Sequence, residues 1–358
     1  METHVPLQTL ETLIAFRTVA GNRREKDACL DWIHRNFVAE SKIPVVLREC
    51  ADCPYLLMDH PAATWTWFAH VDVVPGREDQ FQIAIDGDRI TGRGVKDMKG
   101  AALPFLLAYR DACREGQIPP VSILISTDEE TGGKTIPNFL KKGFTTPIAF
   151  TPDTGSSPGI VTEHKGAVWF TLTSEGISGH GAIPWESNNP VPALAEALLA
   201  ITQAYPPGTE SDWRMTVSAT ELYGSDAANR IPKLATATLD VRYPPEEFAG
   251  PEAVMQELQK LLPRGCTLTI KESGNPLKTD PKHPFIQNFV NVVERVEGKK
   301  PGCIREHGAT DARHFSAAGI PAFLYGPIGG GIHGDDEWVS LRSLEDQYAI
   351  YRELFTSV

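Results

Sequence analysis

The chain has 358 residues, enough for two domains, or for one large domain with an insertion, and for a core that needs no disulfide staples. Hydrophobic residues make up 41% and charged residues 22%, and no apolar run is long enough to span a bilayer, so no membrane partner is expected. Asp and Glu number 46 against 34 Lys and Arg, and the formal charge of −12 argues against nucleic acid or anionic lipid as a partner. Residues 1–6 have neither a basic nor an apolar leader pattern, which predicts a cytoplasmic protein. The six cysteines are scattered. Cys50 and Cys53 form a single CxxC without a second pair, and all six are read as reduced.

In chain order, Leu7, Leu10, Leu13 and Ile14 open with helical spacing, and Cys29, Leu30, Ile33 and Phe37 repeat it. Short apolar runs at 44–47, 55–58, 64–69, 121–126, 148–150 and 322–325 read as strands, with a helix over 101–112. Runs without polar alternation suit strands covered on both faces. The expected class is therefore α/β, with a mostly parallel sheet flanked by helices.

A second pattern fills the middle. An alternating strand (Val168, Phe170, Leu172) leads to a helix over 192–203, strands at 215–219 and 235–241, a helix over 251–262 and a strand at 267–270. This β-α-β-β-α-β order makes a small α+β sandwich complete in itself. Three segments follow: catalytic domain 1–165, an inserted domain 166–273, and the rest of the catalytic domain, 274–358.

Acids and histidines gather at the ends of the first-domain strands. The run 64–69 leads into His70 and Asp72, 121–126 into Glu129 and Glu130, 148–150 into Asp153, and 322–325 through a glycine-rich loop to His333. Asp97 stands just before the helix 101–112. Open α/β sheets bind ligands beyond the carboxyl ends of their strands, so these groups should share one crevice. Imidazoles and carboxylates without cysteine suit zinc, cobalt or manganese. Two such ions sit roughly 3.5–4 Å apart in two-metal hydrolases. His70 and Asp72 share a strand face, which lets Asp72 orient the His70 ring. Glu129 and Glu130 are adjacent and point apart, so one can bind metal while the other moves protons.

The stretches 69–75, 92–100, 128–130 and 333–337 resemble, in order and spacing, the motifs of the M20 metallopeptidase family. The resemblance spans nearly the whole chain. It implies that His70, Asp97 and Asp153 hold one divalent ion and Asp97, Glu130 and His333 a second, with Asp97 bridging, Glu129 as general base then acid, and Asp72 orienting His70. Family members often have a cis peptide after the bridging aspartate, here Asp97–Met98. The stretch 178–184 resembles the lid-domain motif whose histidine, here His180, reaches across a dimer to polarise the scissile carbonyl. Asn229 and Arg242 match substrate-binding positions, and Thr310 lies in the matching loop 308–313. In two places alanine stands for a frequent glycine, Ala69 and Ala101. Asp153 stands where deacetylase and desuccinylase branches usually carry glutamate, and aspartate is commoner in dipeptidase and tripeptidase branches.

The resemblance thus implies a dinuclear metal hydrolase that cleaves an amide bond in a small, carboxylate-bearing substrate, of carboxypeptidase or N-acyl-amino-acid deacylase type. It implies a homodimer through the lid domain. An aminopeptidase or dipeptidase is the alternative within the family. A non-catalytic binding protein on the same scaffold is the alternative outside it, and would lack the base or a ligand.

Overall fold

The computed structural model describes residues 4–155, 158–225 and 227–357. Its chain divides into two compact units, one formed by 1–163, 278–306 and 310–358, the other by 164–277 with 307–309.

The first unit is built on a mixed sheet that is parallel at its centre. Strand Trp65–His70 lies parallel to Val121–Ser126 on one side and to Ala149–Thr151 on the other, and Ala322–Leu324 continues the parallel set. Val45–Cys50 and Cys53–Met58 form an antiparallel hairpin that closes the edge beside Val121–Ser126. Both Trp65–His70 and Val121–Ser126 are buried along their whole length, as their unbroken apolar runs predict. Helix Lys99–Arg114 is buried from Lys99 through Tyr109, with little polar face until its last turn, and so lies inside the layer stack rather than on its surface. Aromatic rings fill the core beneath the sheet. Trp67 stacks on Phe105 at 4.0 Å and Phe150 on Phe323 at 4.5 Å, with Tyr351 edge-on to Phe105 at 5.1 Å.

Among the described residues, four helices of this unit have no bounds from the sequence: Thr135–Lys141, Pro284–Glu297, Ala312–Ala317 and Leu341–Ser357. A small four-stranded sheet is also added, in which Trp338–Ser340 pairs with Gly329–Gly330 and with Arg89–Thr91. This sheet sets the 92–97 stretch beside the 331–337 loop.

The second unit carries its own core, in which Val168, Phe170 and Leu172 meet Leu239, Val241, Leu194 and Val254. Strand Gly166–Glu175 lies between Leu234–Tyr243 and Cys266–Gly274, both antiparallel to it, and Thr216–Tyr223 forms the outer edge next to Leu234–Tyr243. Helices Pro190–Ala204 and Pro251–Gln259 follow the first and third of these strands in chain order, so the β-α-β-β-α-β order holds. The α/β class with an inserted α+β unit agrees with the sequence reading.

Candidate metal centre

Parallel pairing puts the carboxyl ends of the central strands at one edge. His70 pairs in register with Ser126, two residues before Asp128, and Ala322–Leu324 runs alongside Ala149–Thr151, two residues before Asp153. The Asp97–Met98 peptide is cis, and helix Lys99–Arg114 starts immediately after it.

The structure brings five of the expected residues into two overlapping clusters. His70, Asp97 and Asp153 offer ligand atoms all within 4.8 Å of one another, and so do Asp97, Glu130 and His333. Asp97 is common to both and presents a different oxygen to each, with Oδ1 at 3.2 Å from His70 Nε2 and Oδ2 at 3.0 Å from His333 Nε2. Glu130 Oε2 lies 3.1 Å from His333 Nε2, whereas its buried Oε1 has no hydrogen-bond partner among the described residues. A shared carboxylate, two imidazoles and further carboxylate oxygens make a donor set that suits divalent metal ions. The His333 side chain stays 54% exposed, so the second cluster opens to solvent.

Asp72 anchors this arrangement. Its carboxylate accepts from the backbone N–H of Glu129 at 3.3 Å and of Glu130 at 3.0 Å, and lies 3.4 Å from His70 Nδ1. The same ring nitrogen is closer, at 3.1 Å, to the Asp72 carbonyl, so the backbone shares in orienting the ring.

The electrostatics follow from burial among like charges. Burial holds the Glu129 carboxyl well above its ordinary value, with Asp311 and Asp153 adding to the rise and His70 and Arg313 opposing it. Burial likewise pushes Asp153 up to about 7, against the pull of His70. Asp97 feels the same burial penalty, yet hydrogen bonds from His333 and His70 carry it below the usual carboxylate range. Asp97 and Glu130 push His333 up to about 10.

Glu129 and Glu130 diverge as expected. Glu130 turns to His333, while Glu129 Oε1 lies 4.0 Å from Arg313 Nη1. Asp311 of the 308–313 loop, to which the sequence reading assigned no role of its own, is buried and adds to the rise of Glu129, with His314 Nε2 at 3.3 Å from its Oδ1 and Arg313 Nη2 at 3.8 Å. Thr310 is buried at the start of the same segment, where its hydroxyl accepts from the Ala312 N–H.

The remaining expected residues belong to the second unit. His180 is exposed on the two-residue strand Gly179–His180, which pairs with Arg230–Ile231, and its Nδ1 accepts from the Ala182 N–H at 3.1 Å. Asn229 lies alongside, its carbonyl accepting from the Gly181 N–H at 2.8 Å. The Arg242 fork is filled by Asp240, two residues upstream on the same strand, at 2.7 and 3.0 Å, and its guanidinium lies over the Trp169 ring.

A fold with parallel strand ends converging on paired histidine–carboxylate clusters defines a metal-dependent hydrolase class, and comparison with known proteins agrees. The profile of peptidase family M20/M25/M40 matches residues 67–357, and the chain belongs to this family. It is a metal-dependent hydrolase of amide bonds in small substrates. Among curated relatives, a succinyl-diaminopimelate desuccinylase from Rickettsia felis is 27% identical, covering 96% of this chain and 97% of the relative. Among solved structures, an M20 family metallo-carboxypeptidase from Sulfolobus solfataricus superposes with a TM-score of 0.80 at 17% identity, covering 99% of both chains. A tripeptidase from Staphylococcus aureus gives 0.78 at 16% identity, covering 98% of this chain and 97% of its own. No helix among the described residues is long and apolar enough to cross a membrane.

Proposed function

We propose that the protein uses two divalent metal ions, zinc or alternatively cobalt or manganese, to hydrolyse an amide bond in a small substrate that carries a free carboxylate, as a carboxypeptidase or an N-acyl-amino-acid deacylase. The observation that carries this reading is the pair of histidine–carboxylate clusters sharing Asp97, with a separate buried carboxyl, Glu129, beside them. His70, Asp97 and Asp153 would hold one ion and Asp97, Glu130 and His333 the other. When bound, the ions supply Lewis acidity and lower the pKa of water.

Glu129 takes the proton of the attacking water. Its raised pKa makes it basic enough to keep that proton and then deliver it to the leaving nitrogen. Asp72 holds the His70 ring and the Glu129–Glu130 backbone in register. His180 is assigned to polarise the scissile carbonyl, and Asn229, Arg242 and Thr310 to bind substrate. The second unit is read as lid and dimerisation domain of a homodimer. Its edge strand Thr216–Tyr223 exposes Leu222 and Tyr223, and Leu199 is exposed on helix Pro190–Ala204, which supports an association of two copies.

One observation favours a second reading within the family, an aminopeptidase or dipeptidase. Asp240 already fills the Arg242 fork, so a substrate carboxylate has to displace an internal partner there.

The test is a substrate panel on zinc- and cobalt-loaded protein: N-acyl amino acids including N-succinyl-diaminopimelate, N-blocked dipeptides and free dipeptides. Cleavage of N-acylated or N-blocked carboxylates is expected. Turnover confined to free-amino peptides transfers the assignment to the second reading.

A further inference from the structure

Glu337 lies four residues beyond His333 and is almost completely buried. Its carboxylate is saturated by the stretch that leads to Asp97. Oε2 accepts from Arg93 Nη1 and from the Gly94 N–H, each at 2.9 Å. Oε1 accepts from the Lys96 N–H at 2.9 Å and from the Asp97 N–H at 3.0 Å. A buried carboxylate without donors is costly, whereas one with an arginine and three backbone amides is held firmly by charge-assisted bonds. The last of these donors is the amide of Asp97, the residue both clusters share.

The other end of the connection is His333, whose φ of 64° lies in the left-handed region that a residue with a side chain rarely adopts. Arg93, paired to Glu337, also reaches the carbonyls of His333 and Pro75, each at 3.5 Å. Lys96 continues the connection to a third loop. Its buried ammonium donates to the Thr154 carbonyl at 2.5 Å and to the Thr154 hydroxyl at 3.1 Å, directly beside Asp153. A chain of buried polar contacts therefore runs from the His333 loop through Glu337 to Asp97, and through Lys96 to Asp153.

We propose that Glu337 and Lys96 are positioning residues for the metal centre, Glu337 fixing Asp97 against His333 and Lys96 fixing Asp97 against Asp153. The inference rests on reading those three side chains as metal ligands, and goes beyond it by naming what sets their spacing. Partners that orient ligands in this way typically contribute roughly 10–100-fold to metal affinity.

The test measures zinc binding by the full-length protein in competition with a chromophoric chelator, together with the visible absorption of the cobalt-loaded form and the thermal midpoint of the metal-free form. Wild type is expected to bind zinc. Glu337→Gln keeps the shape of the side chain but exchanges one acceptor oxygen for an amide, and is expected to bind zinc about 10–100-fold more weakly with a displaced cobalt spectrum. Because that change strands the Arg93 charge and can compromise folding, Lys96→Met is the second variant. It removes the link to Thr154 together with a buried positive charge near Asp97 and Asp153, and is expected to weaken zinc binding about 10-fold because the lost positioning outweighs the relief of that charge.

A purely structural role predicts a lower midpoint in the metal-free protein with zinc affinity and cobalt spectrum unchanged. That result in folded Lys96→Met or Glu337→Gln overturns the inference while leaving the metal centre standing. Wild type that binds neither zinc, cobalt nor manganese overturns both.

Discussion

Glu129 and Glu130 are neighbours in sequence with separate surroundings, and at the scale of the residue this separation is what the site depends on. Glu130 faces His333 with one oxygen left unsatisfied, whereas Glu129 faces Arg313 with a raised pKa. Glu129→Gln is therefore expected to lower kcat by about 10²–10⁴-fold, the range for a lost general base, with zinc content unchanged. Metal analysis alongside steady-state kinetics checks both parts, and a variant with near wild-type turnover removes Glu129 from its role. A second residue-scale effect concerns Lys99, whose buried ammonium donates to the carbonyls of Ile14 and Phe16. Burial lowers its pKa from 10.5 to about 8. Below pH 8 the group is protonated in folded and unfolded chains alike. Between about 8 and 10.5 only the unfolded chain holds the proton, so this group makes stability rise with pH across that window. Urea unfolding of wild type and Lys99→Met at pH 7.5, 9 and 10 is expected to show the difference in stability moving in favour of wild type as pH rises. A constant difference contradicts the assignment.

At the scale of the element, two glycines show how tightly loop and helix fit around the acids. A Cβ at Gly100 would stand 2.1 Å from the Val95 carbonyl oxygen, and one at Gly133, where φ is 57°, would stand 2.4 Å from Asp311 Oδ1. Gly100→Ala must push back the strand of backbone that carries Asp97, and is expected to cost about 1–3 kcal/mol, the range for overpacking, and to weaken zinc binding as well. Loss of stability without loss of zinc affinity would separate the helix start from the metal centre. The elements legible in the sequence are those whose pattern is imposed by burial alone. Strands such as Trp65–His70 and Val121–Ser126 show it as unbroken apolar runs, and Gly166–Glu175 shows it as alternation. Helix Pro284–Glu297 carried a readable signal too, in Ile286, Phe289, Val290 and Val293, although the sequence reading placed no helix there. The part of the site that stayed hidden is of another kind. Glu337 takes its bonds from backbone amides more than 200 residues away, brought near by the pairing of Trp338–Ser340 with Arg89–Thr91, and no side-chain pattern announces such a partner. Asp240 beside Arg242 was visible as an i, i+2 pair on one strand face, because such side chains point the same way.

At the scale of the whole molecule, two separate cores imply two separable contributions to stability. In the second unit, the proposed dimer predicts that light scattering finds wild type at twice the chain mass, and that Leu222→Arg on the exposed edge strand shifts it to monomer; a monomeric wild type with full activity opposes the dimer. The first unit carries the metal centre, and there the acids make a specific demand. Burial raises Asp153 to about 7 and raises Glu129, and Asp97 and Glu130 raise His333 to about 10, so these acids are costly to hold charged without added positive charge. A bound divalent ion supplies that charge only to the folded form, because the unfolded chain scatters ligands that the sequence places from position 70 to position 333. One ion at about 100 times its dissociation constant then stabilises by roughly 2.7 kcal/mol. In a domain of this size that corresponds to about 5–11 °C in Tm, at roughly 2–4 °C per kcal/mol. Calorimetry is therefore expected to show one transition moving down by at least this amount when a chelator removes the metal, while the transition of the unit with the Phe170–Leu239 core stays in place. A shift of both transitions together would mean that the two cores unfold as one, and no shift at all would mean that the clustered acids and histidines hold no ion.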